Sequence, residues 1–229
     1  MSTTANRASE LMPRDARVRD WRETLRKGLL ACGVLYVLAY VGWHEIAALQ
    51  WEGYSRISNA ISELSLPGAP SRWVLEPWAF VVSSALTIAF GIGVWRSAAS
   101  SGVLRVAGGL LVVSGSTYPL WRLFGAASLA VHLVLSAVGI LCWLGVIGFG
   151  AAAFGRRFRL YSLVTVATMV VFFGMAFGYA PEVAAGEPTP YMGLFERIAF
   201  SAYFLWVTVF AVGLWRPREV ASQGSSAST

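Results

Sequence analysis

Charge is scarce in this 229-residue chain: 13% of the residues are charged against 56% apolar, and the mean hydropathy is +0.60. Soluble domains carry about 25% charge, and 11 of the 30 charged residues here lie within 1–27. The remainder cannot clothe a globule in water, which excludes a soluble enzyme and a DNA-binding domain. Cysteine is nearly absent as well. Cys32 and Cys142 each sit in an apolar run without CxxC or Cys/His spacing, so neither a disulfide framework nor a zinc ribbon is indicated. The two histidines, His44 and His132, form no HxxxH or HExxH pair; even with Glu45 beside His44, hydrogen-bonded interface histidines are expected and no metal or other cofactor is implied. No aspartate lies in any apolar run and no Ser/His/Asp order is visible, so a serine-hydrolase triad has no support. There is also no internal repeat.

What is present is a series of apolar runs. Six are long enough to cross roughly 30 Å of hydrocarbon, at about 20 residues each: near 28–49, 78–95, 103–121, 127–150, 160–179 and 194–215. Backbone amides in lipid must be satisfied within the segment, and the runs lack the alternation of barrel strands. The fold class expected is therefore all-α, a polytopic integral membrane bundle of six transmembrane helices. The first run has a long polar lead and no small-residue cleavage site, and reads as a retained signal anchor. The pI of 9.7 follows from bases flanking the spans, a pattern of membrane insertion that calls for no nucleic acid.

The arginines orient the bundle. With the N-terminus in the cytoplasm, Arg7, Arg14, Arg17, Arg19, Arg22, Arg26, Lys27, Arg96, Arg105, Arg156, Arg157, Arg159, Arg216 and Arg218 fall inside. Only Arg56, Arg72, Arg122 and Arg197 fall outside, a 14 to 4 division of the 18 bases. The positive-inside rule then places both termini in the cytoplasm, in a bacterial inner membrane. The chain divides into a basic N-terminal segment (1–27), a transmembrane domain (28–216) and a disordered cytoplasmic tail (217–229). Val18, Trp21 and Leu25 among mixed charges suggest a short helix on the inner leaflet, drawn to anionic lipid; the same bases also suffice simply to set topology.

Two external loops, about 50–77 and 180–193, exceed what a connection needs. In the first, Ile57, Ile61 and Leu64 follow i, i+4, i+7 spacing, with Ser55, Asn59, Ser62 and Glu63 opposite and Pro67-Gly68 as a stop. This predicts a short interfacial helix. Ionisable groups at the edge of a membrane are costly and mark candidate sites, and every such group lies near an outer span end: His44 and Glu45, Tyr118 and Arg122, His132, and Glu196 with Arg197. Joined by Asn59, Ser62 and Glu63, they are expected to converge on an outward-facing polar pocket. Glu63 and Glu196 are the candidate catalytic carboxylates, as general acids or substrate orienters, or else members of structural ion pairs.

The tryptophans invite a ligand box, but Trp43, Trp51, Trp73, Trp78, Trp95, Trp121, Trp206 and Trp215 lie near span ends and read as an aromatic belt. Gly174 and Gly178, and Gly145 and Gly148, read as close helix packing. Ser114, Ser116 and Thr117 are placed to bond across helices.

AsnAlaIleSerGluLeu at 59–64 before ProGlyAlaPro at 67–70, and GlyLeuPheGluArgIle at 193–198 leading into a TrpValThrValPheAla helix, resemble the bacterial domain-of-unknown-function 998 family of six-helix membrane proteins over roughly residues 28–216. The resemblance directs attention to Asn59, Ser62, Glu63, Glu196 and Arg197 and brings no established activity. Three functions stay open. One is binding of a lipid or other hydrophobic small molecule, head group on Arg197, Glu63 and Asn59. The second is an intramembrane enzyme acting on an isoprenoid or lipid. The third is a structural or regulatory subunit with a membrane-protein partner or a second copy of itself. A transporter is disfavoured by an inner half without polar groups, span-breaking prolines or a repeat.

Overall fold

The computed structural model describes residues 14–76, 78–124 and 128–216, with the side chains of 14–17, Trp78, Trp121, Arg122 and Leu129 outside that description. The expected disordered tail (217–229) and residues 1–13 of the basic segment also lie outside the described residues. The chain runs through α1 (Arg14–Leu49), a 3₁₀ turn (Ile61–Ser65), α2 (Arg72–Leu75), α3 (Trp78–Arg96), α4 (Gly102–Phe124), α5 (Leu129–Ala152), α6 (Arg156–Phe177), α7 (Ala180–Ala185) and α8 (Met192–Trp215). No strand occurs among the described residues. Six of these helices, α1, α3, α4, α5, α6 and α8, are long and apolar enough to span a membrane, so the chain is a multi-pass membrane protein.

Two elements differ from expectation. The basic segment is no separate surface helix: α1 continues unbroken for 36 residues from Arg14. Good helix formers fill 14–27, Glu23 pairs with Arg26 at 2.6 Å and Lys27 at 3.5 Å, and Gly28 costs only about 1 kcal/mol in a helix. Nor do Ile57, Ile61 and Leu64 share one helical face. Residues 55–59 form a turn before a five-residue 3₁₀ helix, so Leu64 is fully buried while Ile57 is 52% exposed. The stop is where the sequence places it, since a residue before proline is forced out of the helical region and Leu66 is extended at φ −66°, ψ 155°.

The spans close into a ring in the order α1, α3, α4, α5, α6, α8, with α3 against α4 the most intimate neighbours and α5 against α6 the sparsest. Lipid tails give helices no hydrophobic reason to associate, so close approach of backbones and shape decide the packing. The tightest seam is α3–α4, where a Cβ built on Gly91 would lie 2.8 Å from the Gly108 carbonyl oxygen and one on Gly108 2.7 Å from that of Gly91. Gly145 does pack on α4, against Leu110, but Gly148 and Gly174 face open space, and Gly178 meets only its own helix.

The main core fills the half of the bundle nearer the chain termini, around Leu30, Phe90, Leu104, Ile147, Trp206 and Phe210. Trp206 is therefore no belt residue; it is fully buried and its Nε1–H donates to Ser162 Oγ at 2.8 Å. That half is not free of polar groups either. Arg26 donates to Ser97 Oγ at 3.2 Å and the Leu214 carbonyl at 2.9 Å, tying α1 to the ends of α3 and α8. A smaller core of Ala47, Ala48, Leu64, Val74, Leu75 and Ala79 lies beneath the first long loop. Between the two cores is the candidate site.

Candidate functional site

The two motifs singled out in the sequence, 59–64 and 193–198, dock onto each other across more than 130 residues of chain. Gly193 permits the approach: a Cβ there would collide with the Asn59 carbonyl oxygen. The Leu194 N–H donates to the Ile57 carbonyl at 2.9 Å. Arg197, one turn on, donates from Nη1 to the carbonyls of Arg56, Asn59 and Gly193 at 2.8, 3.2 and 3.0 Å, and from Nη2 to Tyr54 Oη at 2.8 Å. Burial pushes the Tyr54 phenol above its ordinary pKa, and the adjacent Arg197 guanidinium pulls the other way. The second loop adds its own ties, Thr189 Oγ1 to the Ser58 carbonyl and Ser58 Oγ to the Pro190 carbonyl.

The carboxylates finish the joint. The N-terminal amides of a helix have no partners within it, and here consecutive ones are taken by different glutamates. The Ala60 N–H donates to Glu63 Oε1 at 2.7 Å and the Ile61 N–H to Glu196 Oε2 at 2.6 Å. Glu63 Oε2 accepts from Asn59 Nδ2 at 2.8 Å, while Asn59 Oδ1 accepts from the Ser55 N–H at 2.9 Å. The 3₁₀ turn is thus fastened as a roof over the end of the bundle opposite the termini.

Under the roof is a cavity of about 560 Å³, lined by all six long helices and within the size range of small-ligand pockets. Along α5 its lining runs from His132 through Ser136, Gly139 and Ile140 to Trp143, about 17 Å of depth at 1.5 Å per residue. Glu63, Glu196, His44, His132 and Ser62 line the roofed end; Trp143, Phe173, Phe200 and Ile140 line the deep end. His44 Nδ1 lies 2.7 Å from the Tyr40 carbonyl, which can only accept, so Nδ1 carries a proton. Its ring stacks on Tyr40 at 4.0 Å.

The expected site residues therefore separate into three groups. Ser62, Glu63, Glu196, His44 and His132 share one chamber. Asn59 and Arg197 are not among its lining; their polar atoms are spent fastening the roof from behind. The Arg122 side chain lies outside the described residues. Glu45, beside His44, turns away to pair with Arg56 at 2.7 Å, which holds the Arg56 guanidinium above its ordinary pKa. Among the described residues no three His, Cys, Asp or Glu side chains gather as a metal-ligand set.

Sequence reasoning named His132 but missed the rest of the chamber's inner wall. His132, Ser136, Gly139 and Trp143 follow i, i+4, i+7, i+11 along α5, a helical stripe of polar and small positions that was available in the sequence. Of Ser114, Ser116 and Thr117, only Ser114 bonds across helices, accepting from Trp143 Nε1 at 3.0 Å; the others bond back to their own helix. Compared with known proteins, residues 30–213 match the family described as "Protein of unknown function (DUF998)". No curated protein and no solved structure matches the chain.

Proposed function

Because the chain belongs to the DUF998 family, whose description names no activity, we propose its function from the chamber: binding of a lipid or other amphiphile, polar end beneath the roof and apolar chain toward Trp143, Phe173 and Phe200. The observation that carries this reading is a single cavity graded from carboxylates, imidazoles and hydroxyls at one end to aromatic rings at the other. Together with the asymmetry of the arginines, it has the chamber open at the outer face of a bacterial inner membrane, with both termini cytoplasmic. The head group is not assigned to Arg197 or Asn59, which are not among the residues lining the chamber.

Gly139 provides the test. It lines the chamber, and a Cβ built on it meets no atom within 4 Å, so Gly139→Leu places a side chain in the cavity without moving a helix. Native mass spectrometry of protein released from its own membrane is expected to show a discrete bound mass that Gly139→Leu lacks. A bound mass that persists in the plugged variant, or its absence from both, sinks the reading.

An intramembrane enzyme with Glu63 or Glu196 as general acid is the second reading. Its support is that Glu196 uses one oxygen, Oε2, on the Ile61 amide while its carboxylate lines the chamber. Turnover of the captured molecule, lost in Glu196→Gln with the mass still bound, would favour it over simple binding.

A further inference from the structure

The chamber is rich in acceptors and poor in cations. Two carboxylates, Glu63 and Glu196, line one cavity, and among the described residues no lysine or arginine side chain lines it. Like charges sharing a membrane cavity repel, and the nearest cation, Arg197 behind the roof, reaches Glu196 only through its field. The Ile61 amide satisfies one oxygen of Glu196 and the Ala60 amide helps satisfy Glu63, but neither carries net charge.

Hydroxyls extend the pattern inward. Elsewhere in the bundle many helical Ser and Thr spend their hydroxyl on the carbonyl one turn back, as Ser97, Ser116, Ser162, Thr165, Thr168 and Thr208 do, Thr87 being an exception. Ser83, only 4% exposed, lines the chamber and has no hydrogen-bond partner for its hydroxyl among the described residues. Ser136 on α5 and Ser62 in the roof line it likewise without one. Ser62 and Ser136 are only partly covered, but Ser83 is buried, and a buried hydroxyl ordinarily finds a partner, so this one is open to a group that enters.

An ammonium group answers both features. It brings three N–H donors and no acceptor, to a lining of carboxylate oxygens and unspent hydroxyls. Resting on the amphiphile reading above, the geometry points to a ligand whose polar end is a cationic amine, held between Glu63 and Glu196, with its hydrocarbon chain toward Trp143.

The test is calorimetric titration of the full chain in zwitterionic nanodiscs with octylamine, octyl phosphate and octyl glucoside, the Gly139→Leu protein supplying the blank for partition into lipid. Octylamine is expected to bind at least about tenfold more tightly than either other probe, and Glu196→Gln to remove that preference. The glutamine retains a carbonyl oxygen for the Ile61 amide, so roof docking survives; an unchanged thermal midpoint confirms it. Binding of all three probes equally, or a preference for the phosphate or the glucoside, overturns the amine assignment while the amphiphile reading stands. No heat beyond the plugged blank for any probe overturns both.

Discussion

Arg197 shows how far the meaning of one residue depends on partners remote in sequence. A lone arginine at the outer end of a span reads as a head-group ligand, yet its acceptors are carbonyls 138 and 141 positions away. Only the position's importance was legible; its role required knowing that two loops meet. Leaving buried acceptors unpaired costs about 1–3 kcal/mol, so Arg197→Ala is expected to lower the thermal midpoint and raise amide hydrogen exchange across 54–66, with α5 unaffected. Arg197→Lys should fail to rescue it, because a single ammonium cannot reproduce the planar fork across four acceptors. Equal protection in the lysine variant would show that charge alone holds the roof. Trp206 is the converse case, misassigned to the belt because periodicity alone does not separate a core face from a lipid face when both are apolar. Trp206→Phe keeps most of the ring but loses the 2.8 Å bond to Ser162. Hydrogen bonds within membranes average about 0.6 kcal/mol, so a small loss of stability by denaturant titration is expected, well short of the 3–5 kcal/mol typical of Trp→Ala in a core.

At the scale of elements, five of the six spans fall within a few residues of the hydropathy reading, because length and apolarity are what a bilayer demands. The first was cut short: hydropathy falls at the charged residues before Gly28, whereas helix formation does not. Small-residue seams were less legible, since every glycine pair has the same pattern and only the ring order decides which face a neighbour. That distinction can be measured. Gly91→Ala or Gly108→Ala forces a methyl against the opposing backbone and should cost about 1–3 kcal/mol, as overpacking does. Gly174→Ala, with open space around it, should be neutral or stabilise by up to about 1 kcal/mol. If all three behave alike in thermal denaturation, α3 and α4 do not cross at those glycines.

For the whole molecule, the ring leaves its dense core at the terminal end and its chamber at the other, so orientation decides which compartment supplies the ligand. Bases cluster at the terminal end, while the described arginine side chains at the chamber end have partners: Arg56 with Glu45 at 2.7 Å, Arg72 with Glu76 at 3.1 Å, and Arg197 with its carbonyls. The positive-inside rule counts these bases whether paired or not, and the 14 to 4 division is what favours the chamber end as the one that crosses the membrane. Glu187, exposed on the second loop, and Ser100, exposed between α3 and α4, mark the two ends. In a background with Cys32 and Cys142 replaced by alanine, a membrane-impermeant maleimide is expected to label Glu187→Cys in intact cells and Ser100→Cys only after lysis. The opposite pattern would turn the chamber toward the cytoplasm. The ligand would then have to come from inside, and the positive-inside argument would fail for a protein whose charge asymmetry is otherwise among the clearest features of its sequence.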